Sequence, residues 1–169
     1  KGYVATLSGL LAAEKIKEAQ EYLKGVEIEA ATLLGQFCAN PYLNAVLVHY
    51  FQKLQELEAD CRMDIQVGEE ELPYMELCQI MSNGLENAYD ALKELEAGNR
   101  EVSVQMKYRR DYLLIRIRNR CKDNLRVEKG TMPVTEKEGH DHGFGLMTVQ
   151  EAAERLDGEM FCYTENGNF

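Results

Sequence analysis

Two asparagines four residues apart, Asn83 and Asn87, are the first residues that could do chemistry. On a helix, side chains four apart share a face, one turn above the other. Asparagine is a mediocre helix former that prefers caps and turns. A stacked pair in mid-helix, with Glu86 and Asp90 beside it, suggests a polar surface kept for a ligand. A solvated helix face would show the same residues, so the pair needs support from elsewhere. The second candidate is Gly143-Phe144-Gly145-Leu146, which follows a polar stretch and opens a helix. Glycines there let backbone approach a ligand closely, and a helix N-terminus offers unpaired N–H groups to an anion. Alone, a GxG before a helix is common. It is neither the GxGxxG dinucleotide fingerprint nor a Walker loop. His140, Asp141 and His142 could ligand a metal, but three neighbouring loop residues seldom suffice.

The helix that positions the asparagines is 77–92, LCQIMSNGLENAYDAL. Leu77, Ile80, Met81, Leu85, Ala88 and Leu92 recur at helical spacing and form its apolar stripe. Pro73 opens it and it fades by Gly98. Upstream, 3–24 reads as a helix ending at Gly25, and 26–39 is ambiguous. Asn40-Pro41, an N-cap residue followed by proline, starts another helix running to about Ala59. Two such amphipathic helices make an antiparallel hairpin whose remaining apolar surface is best covered by a second copy, as a four-helix bundle. Packing on the following domain is the alternative. Met63, Ile65 and Val67 alternate as a strand, as do 102–106 and 112–118, with Arg109-Arg110-Asp111 as the turn between the last two. Residues 119–141 are polar and irregular, the length of a functional or mobile loop. A helix over 146–156 and a strand over 159–163 follow. The order predicts an α+β domain with helices on one face of a mixed sheet.

Composition sets outer bounds. The 169 residues are 45% apolar and 28% charged, ordinary for a globular protein. The net charge of −10 argues against a nucleic-acid partner, which needs clustered cations. The one basic cluster (Lys107, Arg109, Arg110, Arg116, Arg118, Arg120) alternates with apolar residues, as the wet face of a sheet would. Five scattered cysteines without a CxxC pair read as free thiols in a reducing compartment. No apolar run is long enough to span a bilayer. The first residue is not Met, so a membrane segment upstream of Lys1 is compatible with the chain.

In combination these features are more specific. NGLENAYDA, the strand hairpin, the long loop and HGFGL, in that order, resemble the ATP-binding domain shared by gyrases, Hsp90 chaperones, MutL and histidine kinases, the GHKL superfamily. ANPYLNAVL, MDIQV and IMSNGLENAYDAL are similar to sensor histidine kinases of the peptide-sensing, quorum-sensing type. The resemblance implies a dimerisation and phosphotransfer hairpin over 1–60 and a Bergerat-type α/β sandwich over 61–169. It implies ATP and Mg²⁺ as cofactors, with Asn87 the metal ligand. Asn83 stands where hydrolysing members carry a water-activating glutamate; an amide cannot be that base, which fits transfer to a protein side chain. Gly143, Phe144, Gly145 and Leu146 would hold phosphate oxygens, Lys137 would be a mobile cation over them, and His142 would shape the loop.

Two departures qualify the expectation. The usual adenine-binding aspartate, within a D-x-G-x-G, is replaced by Asn119 without the glycines. The phosphoacceptor histidine of the family is absent: His49 falls on the second helix as a surface residue, and the acceptor is expected just upstream of Lys1. The expected protein is thus a homodimeric kinase that passes a phosphoryl group to the receiver domain of a response regulator. It would be a cytoplasmic piece of a bacterial membrane protein. A dimeric phosphorelay scaffold with a degenerate nucleotide site and a superfamily serine kinase or anti-sigma regulator are the alternatives.

Overall fold

The structure is a computed structural model that describes residues 15, 17, 18, 36–68, 71–122, 124–131 and 144–169. The chain divides into two compact units, Lys1–Gln36 and Phe37–Phe169. In the first, Lys17 and Glu18 are helical and Lys15 pairs with Glu18 at 3.3 Å. The rest of the expected first helix lies outside the described residues.

The second unit begins with helix α1, Pro41–Glu56. Its start follows from sequence: Asn40 Oδ1 accepts from the N–H groups of Tyr42 and Leu43, each at 3.0 Å, and Pro41 occupies a position that needs no donor. Strand β1, Asp60–Gln66, leads into helix α2, Tyr74–Lys93. A short 3₁₀ turn, Ala97–Asn99, precedes strands β2, Glu101–Arg109, and β3, Tyr112–Asn119. Helix α3 is Phe144–Arg155. The sheet order is β1-β2-β3, with β1 parallel to β2 and β2 antiparallel to β3. It is the mixed sheet expected. Parallel β1 and β2 need a crossover, and α2 supplies it. The β2–β3 turn holds Arg110 and Asp111 at φ 52 and 65, the two left-handed residues of a type I′ hairpin.

The core lies between one sheet face and the helices. Val102, Val104 and Met106 of β2 are buried, and Leu113, Ile115 and Ile117 of β3 pack beside them. Leu77, Met81, Leu85, Ala88 and Leu92 of α2 meet them with no exposed surface. So do Leu43, Leu47 and Leu54 of α1. Helix α1, which the sequence reading grouped with the hairpin, therefore spends its apolar stripe on α2 and the sheet. The two compact units part at 36/37.

Polar contacts fix the α1–α2 pair along its length. Lys53 Nζ reaches both carboxylate oxygens of Glu86 at 2.9 and 2.7 Å and lies 4.1 Å from the Tyr89 ring centre. Arg100 ties the ends: its guanidinium donates to the carbonyls of Leu92, Leu95 and Leu57. Arg100 thus adds side-chain donors to carbonyls at the C-terminal ends of α1 and α2.

One expected element is absent. Residues 159–163 form no strand; the chain is held there through Thr164, whose N–H donates to Val127 O and whose Oγ1 accepts from Val127 N–H. The pairing falls one step later. Asn166 and Gly167, at φ 51 and 73, make a second type I′ turn between Glu165 and Asn168. Phe169 then exchanges both backbone hydrogen bonds with Asn119.

Two outcomes check this packing. Leu47→Ala removes a fully buried side chain from the α1–α2 contact and should cost about 2–5 kcal/mol in denaturant unfolding of the second unit. Were α1 only a hairpin helix, the loss would leave that unit's stability unchanged. The second concerns Tyr50, whose hydroxyl is pushed from 10 up to about 12 by burial, and then by its hydrogen bond to Glu86 and the nearby carboxylates. The folded state holds this proton more tightly than the unfolded chain. The contribution is therefore complete below pH 10 and lost as pH rises through about 12. Tyr50→Phe should flatten the stability profile in that window, measured against wild type because burial also raises the Cys61 thiol to about 12.

Candidate functional site at the polar face of helix α2

Helix α2 lies between the sheet and α3, and glycine lets it sit close. A Cβ on Gly84 would come within 2.5 Å of Ile117 Cδ1. Ile80 packs with Ile115, and Gly84 meets Ile117, so strand and helix advance together: two strand residues cover about 6.6 Å and four helical residues about 6 Å. One further step along β3 brings Asn119 level with Asn87 and Ala88. Asn83 and Asn87 thus share one face of α2, and Asn119 ends the strand on which α2 packs.

Each is held differently. Asn83 Nδ2 donates to Gln79 O at 2.8 Å, one turn back, which turns Oδ1 outward from the helix axis. Asn87 is half-buried and its amide has no partner among the described residues. Asn119 is the one buried polar residue among the described residues, 2% exposed. Its Nδ2 donates to Arg120 O at 2.9 Å, and its backbone N–H and C=O are both taken by Phe169. Its Oδ1 accepts from no described residue.

The N-terminus of α3 closes one side. Phe144, Gly145 and Leu146 form its first turn, and Gly145 and Leu146 are half-buried. A Cβ on Gly145 would stand 3.5 Å from Asn83 Oδ1, so the free N–H end of α3 abuts the asparagine face of α2. Val149 and Ala152 of α3 pack with Ile80, and Arg155 Nη2 donates to Gln79 Oε1 at 2.6 Å. Gln79 therefore anchors both Asn83, through its carbonyl, and the far end of α3, through its side chain. Asp157 at φ 54 and the Gly158 N–H to Ala153 O bond terminate α3. Lys137, His142 and Gly143 lie outside the described residues, and nothing structural bears on them.

Two sequence inferences shift. Glu86 is not part of the ligand face, because Lys53 of α1 holds its carboxylate. Asp90 is likewise paired, with Lys93 at 2.6 Å. Gln79 was missed: nothing in its sequence position marks a glutamine as the joint between two helices. Among the described residues, no group of three or more His, Cys, Asp and Glu side chains could hold a metal ion. All five cysteines are free, and burial raises the thiols of Cys38, Cys61, Cys78 and Cys162. No described helix is long and apolar enough to cross a membrane.

The comparisons converge on one family. Residues 72–169 match the family model described as GHKL domain. The chain is 26% identical over 170 residues to "Sensor protein CitS" of Halalkalibacterium halodurans, covering 92% of this chain and 31% of that protein. It is 25% identical over 172 residues to a "Probable C4-dicarboxylate sensor kinase" of the same organism, covering 95% and 32%. The chain thus spans about a third of the length of these curated relatives. Among solved structures it is similar to the nucleotide-free catalytic domain of histidine kinase ThkA, with TM-scores of 0.57 and 0.52 in two crystal forms. The identities are 15% and 14%, covering 78% and 75% of this chain and 88% and 85% of those. With its asparagine-bearing α2, the abutting start of α3 and a match over more than half its length, the chain belongs to the GHKL domain family and has the histidine kinase catalytic-domain fold.

Proposed function

We infer that this chain is the ATP-binding, phosphoryl-transferring part of a sensor histidine kinase. The observation that carries the reading is the junction of α2 and α3, where the N-terminus of α3 meets Asn83, with Asn87 one turn further along α2. That pairing suits a polyphosphate: N–H groups and helix dipole face anionic oxygens, while neutral amides add no repelling charge. The names of the two relatives, a sensor protein and a sensor kinase, support the same reading.

Roles follow from the chemistry of each group. Asn119 Oδ1 is oriented by the Nδ2 bond to Arg120 O and would accept from the amino group of adenine. Gly145 and Leu146, with Phe144, Gly143 and His142 ahead of them, would cradle phosphate oxygens, and Lys137 would add a cation. A Mg²⁺ ion fits the donor set, since it takes few protein oxygens beside phosphate and water, and Asn87 has an amide to offer. When bound, that ion would neutralise charge between the phosphates. Asn83 would position the terminal phosphoryl without activating water, which favours transfer over hydrolysis. Most of the rate would come from positioning and electrostatics.

The wider assignment rests on the same family. The γ-phosphoryl would pass to a histidine, then to an aspartate on a response-regulator receiver domain. The acting protein would be a homodimer whose phosphotransfer hairpin lies within 1–60, with α1 serving the catalytic unit. It would work at the cytoplasmic side of a membrane.

Asn87→Ala should abolish Mg-ATP binding by calorimetry and leave the unfolding midpoint within about 0.5 kcal/mol, as for a surface change. A variant that melts but still binds would mean the polar face is structural. Gly145→Ala tests the junction separately. Its Cβ meets only ordinary contact with Asn83, so stability should hold or rise by up to about 1 kcal/mol. Nucleotide affinity should fall severalfold because the methyl covers Asn83 Oδ1. Unchanged affinity would remove this junction from the site.

A further inference from the structure

The sheet face turned away from the helices carries a charge pattern that nucleotide binding does not use. Alternation along the strands places Arg62, Lys107, Arg109, Arg116, Arg118 and Arg120 on it. Only three carboxylates accompany them. Asp60 pairs with Arg62 at 2.9 Å, Asp64 with Lys107 at 3.0 Å and Glu101 with Arg120 at 3.7 Å. Cations outnumber acids two to one on this face of a chain whose net charge is −10. Arg116 and Arg118 are exposed and have no partner among the described residues.

The arrangement has shape as well as sign. Ser103 sits between Arg62 and Arg118 in register, so the two guanidinium-bearing positions flank one hydroxyl about 10 Å apart across three strands. A shallow concavity of about 430 Å³ opens there, lined also by Arg120, Asn166, Asn168 and the carboxylates of Asp60 and Glu101. Toward the hairpin end, Tyr112 is 81% and Leu114 53% exposed on the same face. Arginine and tyrosine beside an exposed aliphatic residue is the composition of a protein interface.

We propose that this outer sheet face docks an acidic protein surface, with the partner's carboxylates on Arg116 and Arg118 and its cations against the Asp60 and Glu101 that line the Arg62–Ser103–Arg118 concavity. Bidentate guanidinium–carboxylate geometry suits arginines better than a single ammonium. A nucleic acid or an anionic membrane fits less well. The interleaved Asp60, Asp64 and Glu101 would repel a uniform polyanion, whereas a protein can set cations against them. A second copy is disfavoured by the net negative charge of the chain. Three strands offer an area of only some hundreds of Å², so the contact is weak, fast and salt-sensitive.

The test uses the 169-residue chain and a fluorescein-labelled acidic peptide with lysines set among its glutamates, Glu-Glu-Lys-Glu-Glu-Lys-Glu-Glu, read by anisotropy. Wild type should bind at about 50 mM NaCl and lose at least about tenfold in affinity at about 500 mM. Arg116→Glu with Arg118→Glu should lower affinity at least tenfold, while circular dichroism and Mg-ATP binding stay at wild-type values. Arg62→Glu, on the opposite edge strand, should weaken the peptide independently. Peptide binding that survives these variants overturns the proposal. So does equal or tighter binding to single-stranded DNA or to phosphatidylglycerol vesicles, or self-association that the arginine variants abolish.

Discussion

Everything in the second unit depends on one helix being buried on one side and polar on the other. Helix α2 gives Leu77, Met81, Leu85, Ala88 and Leu92 to the core with no exposed surface. At roughly 1.5–3 kcal/mol for each large side chain, that burial fixes the helix's rotation about its axis. Once the rotation is fixed, Asn83 and Asn87 have no freedom of direction. Gly84 lets the intervening surface sit against Ile117, and Asn83 then meets Gly145 at the start of α3. The polar face is thus specified by the apolar one, and a shift in core packing would carry the asparagines with it.

The neighbours of α2 reinforce that rotation from three sides. Lys53 holds Glu86 from α1, Arg155 holds Gln79 from α3, and Arg100 caps the C-terminal carbonyls. The Lys53–Glu86 pair is partly exposed, so its own contribution is modest. Its consequence is geometric. It removes Glu86 from the asparagine face and leaves that face neutral. A carboxylate at liberty there would oppose any phosphate brought to α3.

The sequence made the elements of this unit legible where local signals were strong. Asn40-Pro41 marked a helix start that the N-cap bonds of Asn40 bear out, and alternation in 102–106 and 112–118 marked β2 and β3. It failed where only tertiary contact decides. An amphipathic stripe such as Leu43, Leu47 and Leu54 says that a helix must be covered, never by what. The strand expected at 159–163 failed for a related reason. Burial alternates along it, but the ladder partner of β3 is Phe169, which the Asn166-Gly167 turn brings back. Gln79 was invisible because its role lies in two hydrogen bonds to residues at very different sequence separations.

Asn119 shows how a departure from a family motif can be absorbed by the fold. An aspartate at a 2% exposed position would have to be ionised against a large desolvation cost, or accept several donors. An asparagine is neutral and needs only its two ends placed. Here one end is placed by the neighbouring carbonyl of Arg120, and the backbone on either side is clamped by Phe169. The amide cannot exchange its ends without setting Oδ1 against Arg120 O, acceptor against acceptor. Its remaining oxygen is therefore a fixed acceptor, the same half of the interaction that a carboxylate would offer to an amino group, without the charge. What is lost is the extra strength of a charged acceptor, roughly a factor of two in a hydrogen bond. In the proposed adenine contact, the amide would weaken the bond but preserve its direction, which is the property a recognition site most needs.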